Sequence, residues 1–213
     1  MNAVVAGSTG LVGREVVAQL CQRPEVTVRA LVRKTGTLPA APNLTEVQFS
    51  VDQVTPADVL YCCIGTTMRA AGSPEAFRKV DLDIPMALIK QLVSVSPKTV
   101  FALVSSVGAD RPGGLYLNTK AELEKALASS GLPYVIARPS MLLGERSEFR
   151  PLEVFTLPLV KPLMWGLECV TGRAAWVGRL KPIEGRQVAR ALIRATLEGR
   201  PVNRAIEGWE LFE

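Results

Sequence analysis

Three glycines within the first thirteen residues constrain this chain more than any other feature. A short apolar run, Asn2 to Ala6 (NAVVA), leads into Gly7-Ser8-Thr9-Gly10-Leu11-Val12-Gly13. Residues Arg14 to Gln22 then carry helical apolar spacing at Val16, Val17 and Leu20. A strand that passes through glycines into a helix leaves backbone N–H groups pointing out of the helix N-terminus. That is the positive end of the helix dipole, and no Cβ keeps an anion away from it. The spacing is GxxGxxG, a relative of the GxGxxG pyrophosphate fingerprint. Gly7, Ser8, Thr9, Gly10, Leu11, Val12 and Gly13 are therefore the expected phosphate-binding turn of a dinucleotide site.

The rest of the chain repeats the alternation. Strand patterns fall at Val26 to Val32, Val47 to Val51, Val59 to Ile64, Val100 to Val104 and Tyr134 to Ala137. Helical patterns fall at Pro74 to Val95, where Pro85 marks the first turn of a second segment, and at Leu115 to Ser129, which Gly131 stops. Strands alternating with helices predict an α/β fold, a doubly wound parallel sheet (Rossmann) with helices on both faces. Ligands of such sheets bind at the carboxyl ends of the strands, so the loops after Ala6, Val32, Ile64, Val104 and Ala137 should line one site. Beyond Pro139 the pattern loosens. A helix over Val154 to Glu168 and a final helix over Gln187 to Glu198 are expected, with residues 140–213 forming a small C-terminal substrate-side cap on a single domain. Residues Ser140 to Trp176 should shape its pocket.

Composition narrows the chemistry. The 213 residues are 48% hydrophobic and include no histidine, so Ser-His-Asp and Cys-His machinery is excluded within the chain. The four cysteines, Cys21, Cys62, Cys63 and Cys169, have no metal-ligand spacing; Cys62 and Cys63 adjoin in a strand pattern and should point to opposite faces as small apolar side chains. The net charge of +5 is spread along the chain, with no Lys/Arg run and no aromatic stripe. The expected partner is thus an anionic small molecule and not nucleic acid, with room left for a homodimer or a protein partner. No basic leader precedes the first strand, and the apolar stretch Val154 to Val170 is broken by Pro158, Lys161, Pro162 and Glu168. These features predict a cytoplasmic protein with no integral membrane association.

The end of the second strand selects the nucleotide. An acid there would bind the adenosine ribose 2′-hydroxyl; instead Arg33 and Lys34 follow Gly13 by about twenty residues. Two cations suit a 2′-phosphate, so NADPH (or NADP) is expected ahead of NADH. Asp52, after the third strand pattern, is placed to meet the adenine edge.

Tyr116 and Lys120 stand four apart on a helical pattern and share a face. A cation beside a phenol favours the phenolate, which makes tyrosine usable in proton transfer. The glycine turn, Ser105-Ser106 at a strand end, the Tyr-x-x-x-Lys pair and Arg138-Pro139-Ser140-Met141-Leu142-Leu143-Gly144 together resemble the short-chain dehydrogenase/reductase superfamily, in its atypical NAD(P)H-binding branch. Cys63-Ile64-Gly65-Thr66-Thr67, Val80-Asp81 and Ser105 to Asp110 look most like its Tat-interacting tumour-suppressor oxidoreductase group. The resemblance covers about two thirds of the chain. It implies that Tyr116 protonates a substrate carbonyl oxygen and that Lys120 binds the nicotinamide ribose and tunes Tyr116. It also implies that Ser106, or second to it Ser105, hydrogen-bonds the same oxygen, and that Gly65, Thr66 and Pro139 border the cofactor. An NADPH-dependent reductase of a small carbonyl or related unsaturated substrate is the leading reading. A non-catalytic NADPH-binding regulator is the alternative, and the chain is short for the substrate domain of a nucleotide-sugar epimerase.

Overall fold

The apolar runs of the sequence become the central strands of a sheet. The computed structural model describes residues 1–51, 54–111, 113–143, 175–198 and 202–213. Asp52 and the helix expected over Val154 to Glu168 lie outside the described residues. β1 (Asn2–Ala6), β4 (Val59–Cys62), β5 (Val100–Val104) and β6 (Tyr134–Arg138) are buried along most of their lengths, as strands covered on both faces must be. With β2 (Thr27–Val32), β3 (Leu44–Gln48) and β9 (Arg204–Glu207) they form a seven-stranded sheet in the order β3-β2-β1-β4-β5-β6-β9. Its pairings are all parallel. Two-residue strands β7 (Leu142–Leu143) and β8 (Ile183–Glu184) pair separately.

Two apolar layers sandwich the sheet. On one face, α1 (Leu11–Cys21) and α7 (Gly185–Leu197) bury Val12, Val16, Val17 and Leu20 against Val188, Leu192 and Ile193, over Val5, Val28 and Tyr61. On the other, α4 (Ile84–Val95) and α5 (Leu115–Ala128) bury Leu88, Ile89, Leu92, Leu123 and Leu127 against Val4, Leu60, Phe101 and Leu103. Cys62 belongs to the second layer and Cys63 packs against the first, so the adjacent thiols do face opposite ways.

Three expectations shift. The third strand lies at Leu44–Gln48 and not at Val47 to Val51, because its ladder with β2 pairs Leu44 with Val28 and Gln48 with Val32. The Pro74 to Val95 helix is three consecutive pieces: α3 (Pro74–Arg78), a π-helical segment (Lys79–Asp83) and α4, with Pro85 in the first turn of α4 as expected. A short α2 (Met68–Ala71) precedes them, and a short α6 (Ala175–Leu180) leads into β8. The final helix packs on α1 and the sheet face and not over the strand ends. The Tyr61 hydroxyl, deep in β4, shares a 2.7 Å hydrogen bond with Thr196 of this helix. β9 then adds the last strand to the sheet, so both belong to the body of the fold.

Candidate cofactor and catalytic site

The chain winds outward from β1 through β2 to β3, then returns to lay β4 on the other side of β1. The strand order reverses there, and the loops after β1 and β4 diverge around the crevice that such sheets use for ligands. These two loops touch. Gly7 has φ +77°, and a Cβ on it would lie 2.6 Å from the Cys63 carbonyl. A Cβ on Gly13 would lie 2.1 Å from the Gly7 oxygen, so Gly13 is what lets α1 approach the turn. Gly10 differs: a Cβ there would meet only the Gly7 oxygen, at 3.3 Å. Gly10 is the N-cap of α1, and having no side chain it makes no capping hydrogen bond to that helix end. The turn therefore offers uncapped backbone donors at an open position, which fits a pyrophosphate. Ser8 is fully buried and its hydroxyl donates to the Leu31 carbonyl at 2.9 Å; Val12 lies in the core, Thr9 is exposed and Leu11 half-buried. Of the side chains in this turn, only that of Thr9 is exposed.

Arg33 and Lys34 are exposed at the end of β2, across β1 from the loop after β4. The loop that follows them is tied down by Glu46 of β3, whose carboxylate accepts the backbone N–H groups of Gly36, Thr37 and Leu38. The Leu38 bond, with the Thr37 and Gly36 bonds, holds the Glu46 carboxyl below its usual range even against partial desolvation. The sequence places no acid beside Arg33; the ladder sets Glu46 opposite Ala30, and the loop amides occupy its carboxylate.

On the other side of β1 lie the residues of the expected chemistry. Lys120 and Asp81 form an ion pair of 2.7 Å with side chains 6% and 1% exposed. The second oxygen of Asp81 accepts the Thr66 N–H at 2.7 Å. Lys120 Nζ stands 5.9 Å from the centre of the Tyr116 ring, which leans on Phe77 with centroids 5.8 Å apart. A Cβ on Gly65 would sit 3.8 Å from Lys120 Nζ, so the lysine faces the Gly65–Thr66 turn. Ser105 is buried and its hydroxyl has no hydrogen-bond partner among the described residues, whereas Ser106 is half-buried with a long 3.4 Å contact to the Val107 carbonyl. Pro139, itself buried, accepts the Val107 N–H at 2.9 Å and so fixes that loop. The structure thus gathers Tyr116, Lys120, Gly65 and Thr66, next to the loop that touches Gly7. Asp81 is the member that sequence reasoning gave no role. Arg78, Lys79 and Asp83 beside it are charged as well, so nothing in the pattern singles it out.

Two neighbouring features are structural in character. Burial pushes the Cys62 thiol up to about 11 and the Cys63 thiol higher still, which keeps both protonated and unreactive. Behind the serine loop, Arg138 hydrogen-bonds Glu124 through Nε and Nη2, and Arg179 reaches Asp110 at 3.1 Å and Glu207 at 3.3 Å. Burial pushes Asp110 up, but the Arg179 hydrogen bond and the Arg179 and Arg138 charges hold it below its usual value.

Residues 7–153 match a protein family described as NAD(P)H-binding. Among curated proteins, the chain is similar to "Protein FMP52, mitochondrial" of Candida albicans, 31% identical over 93% of this chain and 89% of that protein. The Lodderomyces elongisporus protein of the same name is 35% identical over 69% of each. Among solved structures, a UDP-glucose 4-epimerase of Thermotoga maritima superposes with a TM-score of 0.71 at 16% identity, covering 97% of this chain and 77% of that one. A human epimerase family protein solved with NADPH gives 0.62 at 18% identity, covering 92% and 70%. At such identities these structures speak for the fold alone. The names of the fungal relatives overturn the cytoplasmic expectation. A missing basic leader had carried that expectation, and cellular address is not written in the packing of a folded domain. No helix among the described residues is long and apolar enough to cross a membrane. On the family match the chain belongs to the NAD(P)H-binding family, and its sheet order is that of the Rossmann fold.

Proposed function

We propose that this protein is an NADPH-dependent reductase of a small carbonyl or related unsaturated compound. The observation that carries the reading is the placement of Lys120 against the Gly65–Thr66 turn, with the Tyr116 ring 5.9 Å from its Nζ, beside the glycine turn at the switch point. The α1 N-terminus and Gly10 receive the pyrophosphate, Arg33 and Lys34 the 2′-phosphate, and Asp52 the adenine edge. Pro139 borders the nicotinamide. When bound, the reduced nicotinamide supplies a hydride. The chain supplies the rest. Tyr116 holds a proton for the substrate oxygen, Ser106 donates a hydrogen bond to that oxygen with Ser105 second to it, and Lys120 orients the ribose beside Tyr116. The test is NADPH oxidation followed at 340 nm against a panel of aldehydes, ketones and quinones; turnover of none of them overturns the reductase assignment. The relatives' names direct a search for the protein to mitochondria, by fractionation of cells expressing it.

The nucleotide preference has its own test. NADPH binds more tightly than NADH, and Arg33→Ala removes roughly tenfold to hundredfold of that preference, the range of one charge-assisted hydrogen bond. Calorimetric titration of both nucleotides against both proteins measures it. Equal affinities in the wild type refute the assignment of Arg33.

One observation favours a second reading, an NADPH-binding regulator without turnover. The charge of Lys120 is already matched by Asp81, which weakens its influence on the Tyr116 phenol. Tight NADPH binding with no turnover of any carbonyl would select this reading.

A further inference from the structure

Four charged side chains close a circuit at the carboxyl ends of β6 and β9. Arg138 and Glu207 are register partners on these strands. Arg138 Nη1 lies 3.8 Å from Asp110 Oδ2 and 3.8 Å from Glu207 Oε2, while Arg179 Nη2 lies 3.1 Å from Asp110 and 3.3 Å from Glu207. Cations and anions alternate, and the four side chains are between 17% and 31% exposed. One pair at such exposure contributes little, but a closed network restrains each member through two partners. Glu207 Oε2 is buried without a hydrogen bond among the described residues, so it depends on both guanidinium charges. One member of the circuit belongs to the serine loop. After Ser105 and Ser106 the chain makes two tight turns, in which the Ala109 N–H donates to the Ser106 carbonyl and the Arg111 N–H to the Gly108 carbonyl. The Ser105 N–H donates to Ala137 and the Val107 N–H to Pro139, which fixes the start of the loop. Asp110 fixes its far end, where both carboxylate oxygens accept from Arg179 Nη2. Arg179 is held in turn. Its neighbour Gly178 in α6 packs so closely that a Cβ there would lie 2.8 Å from the Trp209 backbone nitrogen. The serine loop is thus braced by a residue that enters the fold after Pro139.

We propose that Arg179 is a positioning residue for the reaction: through Asp110 it sets the turn that carries Ser106, and with it the hydrogen bond that Ser106 donates to the substrate oxygen. The inference rests on the role of Ser106 given under the proposed function. It does not rest on how the nucleotide is held. The circuit draws on the loop after β5, on α6 and on the ends of β6 and β9, whereas the glycine turn follows β1 and Arg33 follows β2. Arg138 keeps its hydrogen bonds to Glu124 when Arg179 is gone. Loss of Arg179 therefore lowers turnover and spares NADPH affinity.

The test is a double-mutant cycle on the full chain, with kcat read by NADPH oxidation, NADPH affinity by calorimetry and folding by circular dichroism. Arg179→Met keeps an apolar stem and removes the charge. It is expected to lower kcat by about tenfold to hundredfold, the scale of loss when a reacting group is displaced by up to about 1 Å. Its NADPH affinity should stay within about twofold of wild type, since the nucleotide contacts lie elsewhere. Ser106→Ala lowers kcat as well. In the Ser106→Ala background, Arg179→Met should change kcat by less than about twofold, because the residue through which it acts is gone. Losses that multiply overturn the proposal, as does a parallel fall in NADPH affinity. Wild-type kcat in folded Arg179→Met also overturns it and leaves the reductase reading standing. If Arg179→Met does not fold, Asp110→Asn carries the same cycle. It releases the loop but leaves Glu207 both of its cations, and wild-type kcat in that variant refutes positioning. A wild type that reduces no carbonyl of the panel overturns both this inference and the reductase reading.

Discussion

Gly10→Val is expected to give a folded protein with no measurable NADPH affinity, while Gly13→Val fails to fold. Both glycines lie in the same turn, and the difference follows from what a side chain would meet. At Gly13 the first carbon collides with the Gly7 carbonyl at 2.1 Å, and neither backbone can yield without separating α1 from β1. At Gly10 the first carbon meets a single oxygen at 3.3 Å, which gives by a few tenths of an ångström. The two methyl groups of valine then occupy the space outside the helix end, where the phosphates must approach. Circular dichroism and thermal unfolding, alongside NADPH titration, separate the two outcomes. An unfolded Gly10→Val protein would make that glycine a packing residue like Gly13, and retained affinity would assign the turn another purpose.

The second large effect is on turnover. Tyr116→Phe should leave NADPH affinity unchanged and lower the rate of carbonyl reduction by about 10²–10⁴-fold, the usual loss of a general acid. The substitution suits the question because it disturbs nothing else. Tyr116 is 38% exposed, and its ring leans on Phe77, a contact that phenylalanine keeps. No buried partner among the described residues is orphaned. The measurement is NADPH oxidation with whichever substrate the panel identifies. Full activity in Tyr116→Phe would show that the proton comes from solvent, and the tyrosine would lose its role.

Legibility in this sequence tracks burial. β1, β4, β5 and β6 were readable because strands covered on both faces must be apolar throughout. The two edge strands were not. β3 reads LTEVQ and is half-exposed, so its apolar neighbours Val47 to Val51 drew the assignment three residues along. β9 reads RAIE and carries no pattern of its own, and pairing with β6 makes it a strand. The same division runs through the site. The glycine turn is local, and its spacing announces it. Asp81 and Glu46 act across 39 and 8 to 10 positions of sequence, on Lys120 and on the Gly36–Leu38 amides, and a carboxylate's partner is not encoded at the carboxylate. The final helix was legible as a helix from its apolar stripe, but the stripe does not say what covers it.

What covers it is α1, and this has a consequence for how the chain acquires its structure. The apolar stripe of α1 is covered only in part by β1, β2 and β4 until residues 185–197 arrive to close over the rest of it. During synthesis, the chain through residue 197 must leave the ribosome before the face bearing Val16, Val17 and Leu20 is sealed. A sheet made wholly of parallel neighbours offers no early hairpin to shelter it in the meantime. The nascent chain therefore carries an incompletely sealed apolar face until that helix emerges, the kind of surface that chaperones bind. A release from the ribosome anywhere before α7 leaves that face without its lid.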